Sequence, residues 1–247
     1  MVVMALSFLT IISHIVAAVS ALIRSVQYAS ALGIQGKEWH RYLQKSANLG
    51  LCYAGFGTAG SFREAWLAGE AAFLCCAYDV VTDWRHFDNI ARVKFENILR
   101  ARTPDSELQG LAIGLYEMEK FQRLEEGGLE RGSIALRFTL KMMGCEADRE
   151  LAWGDLDEIG RLLQIVDDVL DYEADIFYGD TNCLASPGRD MYLQQLLLKF
   201  RKEETRRLFG NINSVLVKVI EKARSKAGEL LKTENLEAST ESCIKTP

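Results

Sequence analysis

The chain has 247 residues, a formal net charge of −5 and only three prolines, and 49% of its residues are hydrophobic. That is enough to bury one large core. No Lys/Arg cluster interleaved with aromatics stands out, which excludes a nucleic-acid partner from the expectations. Clean polar–apolar alternation is absent, so the expected class is all-α, a single-domain helical bundle over 1–233 with a disordered C-terminal tail over 234–247.

In chain order, residues 4–23 are almost long enough to span a bilayer. His14 and four hydroxyl residues in that stretch favour the first helix of a bundle, with weak membrane association through 4–23 as the alternative. The helix is predicted to run to about Ser30, followed by a turn over Leu32–Lys37 and a second helix over Trp39–Leu49. Gly55, Gly57 and Gly60 have GxGxxG spacing, but a helix precedes them and no parallel-sheet pattern follows, so a dinucleotide site is set aside.

Ser61 and Glu64 form an SxxE capping box that should open a long helix toward Arg102, ended by Thr103 and Pro104. The next helix reaches Glu126, and Gly127 and Gly128 break the chain. A helix over Arg131–Met143 follows, then a central helix from about Asp148 to Phe177 that stops at Gly179. Two amphipathic helices, about 189–208 and 212–232, complete the bundle. The six cysteines, at 52, 75, 76, 145, 183 and 243, show no CxxC pair, and no cationic leader is evident. Both features suit free thiols in a reducing cytoplasm.

The central helix carries QIVDDVLDYEADIFYGDTN from Gln164 to Asn182. Asp167, Asp171 and Asp175 fall at i, i+4 and i+8, so their carboxylates share one face of an otherwise apolar helix. Like charges at that spacing repel. A divalent cation relieves the repulsion, and an oxygen-only set suits Mg²⁺ or Mn²⁺. The ordinary alternative is a solvated acidic face. A second acidic pair, Asp79 and Asp83, stands one turn apart on the capped helix. If the two helices face each other, the carboxylates form a clamp in which metal ions hold a diphosphate.

YDVVTD followed by LLQIVDDVLDYEAD resembles the two aspartate-rich motifs of the trans-isoprenyl diphosphate synthase and class I terpene synthase superfamily. The same stretch is similar to the cyclases' other metal motif, with Gly179, Asp180 and Asn182 completing it. RGSIALRFTLKMMG resembles the synthases' Lys-Thr helix, with Arg131 and Ser133 in place of that pair. The likeness covers roughly Gly69 to Asn182. It implies an all-α fold of the isoprenoid synthase type and Mg²⁺ or Mn²⁺ held by Asp79, Asp83, Asp167, Asp171 and Asp175. Arg131 and Ser133 would hold the diphosphate of an isoprenyl substrate.

The first motif has Val80 and then Arg85 and His86 where elongating synthases have a second aspartate and Arg-Arg-Gly. The expected activity is therefore a class I terpene synthase, with a prenyl transferase or a non-catalytic partner subunit as alternatives and a homodimer among the possible assemblies. Arg123, Arg137 and Lys141 could join Arg131, although surface ion pairing is their ordinary role. Phe56, Phe62, Trp66, Phe73, Tyr78, Phe138 and Trp153 could line a cavity for a carbocation or simply fill the core. Asp83 and His86 lack the paired ExxH repeats of a di-iron bundle.

Overall fold

A computed structural model describes residues 2–57, 61–103, 105–122, 128–179, 182–209 and 214–244; within these, the side chains of 2–7, 121–122, 202, 206–207, 214 and 233–244 lie outside the description. The described residues are helical, with no strand among them. The first five helices are α1 (Val2–Tyr28), α2 (Lys37–Tyr53), α3 (Phe62–Asp79), α4 (Asn89–Arg102) and α5 (Ser106–Gln122). Then come α6 (Gly128–Met143), α7 (Glu146–Trp153), α8 (Leu156–Tyr178), α9 (Arg189–Lys199), α10 (Lys202–Phe209) and α11 (Ser214–Ile244).

Local chemistry accounts for most boundaries. The Ser61 hydroxyl accepts from the Glu64 N–H at 3.2 Å and starts α3, as the capping box predicts. Gly179, at φ 74°, closes α8 in the left-handed conformation. Two long helices expected from the sequence are each interrupted. The central one breaks at Gly154, φ 85°, and Asp155 caps α8 by accepting from the N–H groups of Asp157 and Glu158.

The capped helix widens into a π turn over Val80–Trp84, marked by Arg85 N–H donating to the Val80 carbonyl at 2.9 Å. It then stops where His86 and Phe87 adopt φ of 48° and 59°. Positive φ at non-glycine residues is unfavourable. Arg85 holds this corner by donating to the Gly33 carbonyl and the Glu38 carboxylate, and Phe87 packs edge-on against Tyr116. Asp88 restarts the chain as the α4 cap, accepting from Ala91 N–H. The helix expected at about 189–208 is likewise divided, at Phe200 and Arg201. The α11 backbone is helical to Ile244, past the end expected near 232 and into the segment read as a tail.

Five helices form a ring: α2 packs on α3, α3 on α6, α6 on α8, α8 on α11, and α11 returns to α2. Small residues set one of these distances and the approach of α1 to α3. A Cβ on Gly132 or Gly160 would collide with the facing backbone, so α6 and α8 touch main chain to main chain. A Cβ on Gly69 would collide with Ala17 and Ser20 of α1. α1 lies outside the ring on α2 and α3, while α4 and α5 cover its α3–α6 side.

α1 packs along one face only, with Ser13, His14, Ala17, Ser20, Ala21 and Ser25 buried. His14 Nδ1 lies 2.7 Å from the Thr10 carbonyl, Ser20 donates to the Trp66 carbonyl, and Ser25 donates to Ser46. The helical segments Phe8–Tyr28 and Phe62–Trp84 are both long and apolar enough to cross a membrane; the latter is 83% buried inside the protein, the former 33%.

Candidate functional site

The ring encloses a cavity whose wall comes from six helices. α3 supplies Leu74, Cys75, Tyr78 and Asp79, and α8 supplies Gln164 and Asp167. Arg131 enters from α6 and Lys45 from α2. Phe95 and Leu99 of α4 and Leu115 of α5 add apolar wall. A second cavity adjoins it, sharing Leu49, Tyr53, Ala135, Gln164 and Asp167. Their volumes, about 90 and 120 Å³, are each below the roughly 300 Å³ at which small-molecule sites begin. The two cavities meet at the shared wall beside Asp167.

The first acidic element is charge-paired. Asp79 ends α3 and Asp83 sits in the π turn, a wider turn of the kind found at functional positions. Both converge on Arg131, whose Nη1 lies 3.7 Å from Asp79 and 3.2 Å from Asp83. Glu119 of α5 takes two further bonds from the same guanidinium, at 2.9 and 3.1 Å. Lys45 Nζ lies 2.9 Å from the other Asp79 oxygen. Burial lowers the proton affinity of Lys45 and Arg131, but the surrounding carboxylates outweigh it and hold both well above their ordinary values. For Lys45 those carboxylates are Asp79 and then Asp167; for Arg131 they are Asp83, Glu119 and Asp79.

The second element is not neutralised in this way. Burial pushes the Asp167 carboxyl up to about 7; Lys45 opposes the shift, and Asp171, Asp168 and Asp79 add to it. Asp175 is pushed up to about 6, again first by burial, against a hydrogen bond from Asn182 and with Asp171 repelling it. Asp171 is exposed. Asp168, the fourth aspartate, is buried and structural: it accepts from Gln164 and from Cys183 N–H. Asn182 donates to the Asp168 carbonyl and to Asp175 Oδ2, both within 2.9 Å, which ties the loop after α8 to the acidic stripe. Asp180 lies outside the described residues.

Asp79 and Asp167 therefore line one cavity. Ser133 stands apart from it, buried and donating to Asp157 at 2.5 Å, where Arg137 also binds. Arg137 and Lys141 are taken up by Asp157, Glu146 and Glu107. Arg123 lies outside the described residues. Of the aromatics singled out in the sequence, Tyr78 and Phe138 line the first cavity and Phe56 the second. Phe62 is exposed, Trp66 stacks on it, Phe73 stacks on Tyr28, and Trp153 is buried in edge-on contact with Phe56 and Phe209. The Arg41 guanidinium lies over the rings of Trp84 (4.9 Å) and Tyr178 (4.3 Å), linking the end of the π turn to the end of α8.

Sequence reasoning missed Lys45, Glu119 and Phe95. Each looks ordinary in its own helix: a lysine between Gln44 and Ser46 or a glutamate before Lys120 reads as solvated, and a lone phenylalanine reads as core. Among the described residues no three His, Cys, Asp or Glu side chains are grouped closely enough to form a ready-made metal site. No protein-family model, curated protein or solved structure matches the chain.

Proposed function

We propose that the chain is a Mg²⁺-dependent class I terpene synthase of the isoprenoid synthase fold type, ionising a linear allylic isoprenyl diphosphate to a cyclised or deprotonated product. The observation that carries this reading is the shared cavity: aspartates from two acidic helices, Asp79 and Asp167, border a pocket that Leu74, Phe95, Leu99, Leu115 and Phe138 also line.

The donor chemistry fits a hard cation. Asp79 and Asp167 line the cavity beside Lys45 and Arg131, and burial, with like-charged neighbours adding to it, raises the proton affinity of Asp167 and Asp175. Mg²⁺ takes one or two carboxylates together with phosphate oxygens and water, so its site need not exist before the diphosphate arrives. Asp167, Asp171 and Asp175 would hold it on one side, and Asp79 and Asp83 on the other. The cation would supply charge neutralisation of the departing diphosphate.

Lys45 and Arg131 are placed to donate to diphosphate oxygens once released from Asp79 and Asp83, and a guanidinium does so in bidentate fashion. Heterolysis of the allylic C–O bond sends the electron pair to the diphosphate and leaves a carbocation among Tyr78, Phe95 and Phe138, whose ring faces favour positive charge. Leu74, Leu99 and Leu115 help keep water away.

A second reading, a non-catalytic subunit that keeps the fold, is favoured by one specific observation. Lys45 and Arg131 already neutralise the first acidic pair. One assay separates the two readings: purified protein with Mg²⁺ and C10, C15 and C20 allylic diphosphates, with and without isopentenyl diphosphate, read by mass spectrometry. Hydrocarbon or alcohol from a single diphosphate is expected, with turnover lost in Asp167→Asn and Asp171→Asn. Consumption of isopentenyl diphosphate identifies a transferase, and a chain that forms no product itself but shifts the product of a partner synthase is the subunit.

A further inference from the structure

The outward face of α1 is patterned as a seam. Phe8, Ile12, Ile15, Val19, Leu22 and Val26 follow one another at intervals of 4, 3, 4, 3 and 4, the heptad spacing of a coiled coil. In that register the a positions are Ile12, Val19 and Val26, all β-branched, and the d positions are Phe8, Ile15 and Leu22. β-Branched residues at a suit a two-stranded seam, and Leu22 is the d residue that matches the same rule. The b, c and f positions include Ser13, His14, Ala17, Ser20 and Ala21, and these are the residues buried against the chain's own α2 and α3. Ile11 and Ile23 flank the seam and are 57% and 46% exposed. α1 thus presents its small residues inward and its large ones outward, the reverse of an ordinary surface helix.

We propose that a second copy of this chain covers this face, α1 pairing with α1 of the partner in a two-stranded helical seam. The seam residues and their flanks leave on the order of 600–700 Å² of apolar side chain bare. That exceeds the roughly 300–600 Å² of the largest patch on a typical monomer and approaches the ~800 Å² each partner contributes to a standard interface. Charge argues for the same occupant over a lipid surface. α1 carries one charged residue, Arg24, which is turned inward in a 2.6 Å ion pair with Glu70. Helices that lie on membranes carry a lysine and arginine rim. A net charge of −5 also opposes approach to anionic lipid. Insertion across a bilayer would strip α1 from the hydrogen bonds that Ser20, Ser25 and Arg24 make to α2 and α3.

The test is the mass of the full chain in detergent-free buffer, by size-exclusion chromatography with light scattering. Wild type is expected at twice the 27.7 kDa chain mass. Ile15→Glu and Val19→Glu are each expected at the single mass with helical circular dichroism retained, because both positions are exposed in the monomer. Leu151→Glu, a 90% exposed residue on α7, should remain at the double mass. Should glutamate disturb α1 itself, the Ile15→Ala/Val19→Ala double variant keeps helix propensity and is expected to weaken dimerisation at least tenfold. The proposal is overturned by wild type at the single mass, by Ile15→Glu and Val19→Glu at the double mass, or by Leu151→Glu losing the dimer equally. It is also overturned if single-mass wild type pellets with phosphatidylcholine vesicles while Val19→Glu stays in solution, which assigns the face to lipid.

Discussion

On α3 and its π turn, Asp79 and Asp83 meet Lys45 and Arg131 at 2.9 to 3.7 Å, and Glu119 completes a network in which every charge has a partner. On α8, Asp167, Asp171 and Asp175 repeat the same four-residue spacing, yet Asp167 and Asp175 respond to burial and to like-charged neighbours by holding protons to about pH 7 and 6. Spacing puts carboxylates on one face; it does not say whether the fold supplies cations to meet them. The α3 side is built to be stable without a ligand. On the α8 side burial comes first and like-charged neighbours second, and both favour the protonated carboxyl.

The largest effect should come from breaking the paired side. Arg131→Met leaves Asp79, Asp83 and Glu119 facing one another with only Lys45 nearby. Removing one partner of a buried ion network costs about 3–5 kcal/mol, or a Tm drop on the order of 10 °C for a chain of this size. A melt unchanged within two degrees would show that the network contributes little.

The unpaired side should respond in the opposite direction. Because the folded chain keeps protons on Asp167 and Asp175 that the unfolded chain releases near 3.8, the folded state binds more protons in that window. Stability therefore falls as pH climbs from about 4 to about 7. Asp167→Asn should raise Tm at pH 8, by on the order of 1 kcal/mol or about 2–4 °C, and flatten the pH dependence. Mg²⁺ with inorganic diphosphate at ten times its Kd should add about 1.4 kcal/mol to wild type at pH 8. The same addition should leave Asp167→Asn unmoved. A thermal-shift series from pH 5 to 8 reads all three, and a wild-type Tm that climbs across that range would overturn the raised proton affinity of Asp167 and Asp175.

The smallest effect concerns Ser133, which resemblance assigns to diphosphate and which the fold turns toward Asp157. Ser133→Ala should cost about 1 kcal/mol of stability, the ordinary worth of one hydrogen bond, and leave KM for an allylic diphosphate unchanged. A KM raised tenfold with Tm intact would return Ser133 to the site.

Much of this architecture is legible locally. The Ser61 cap, the Gly179 stop and the i, i+4, i+8 acidic stripe depend on neighbours within a few residues, and periodicity and capping rules read them directly. The break at Arg85–Asp88 was less accessible, although Asp88 followed by Asn89 was an available capping signal. Its positive-φ corner is held by Gly33 and Glu38, far away in the chain.

The sequence by itself determined an all-helical chain with two acidic stripes in apolar helices. Only the tertiary structure decided that Lys45 and Glu119 belong to the first stripe, that Ser133 does not face the cavity, and which side of α1 is bare. Helix periodicity fixes the face on which a residue lies. Which face turns inward depends on close approaches such as Gly69 against Ala17 and on ion pairs joining different helices, and these are energies between segments that no local pattern contains.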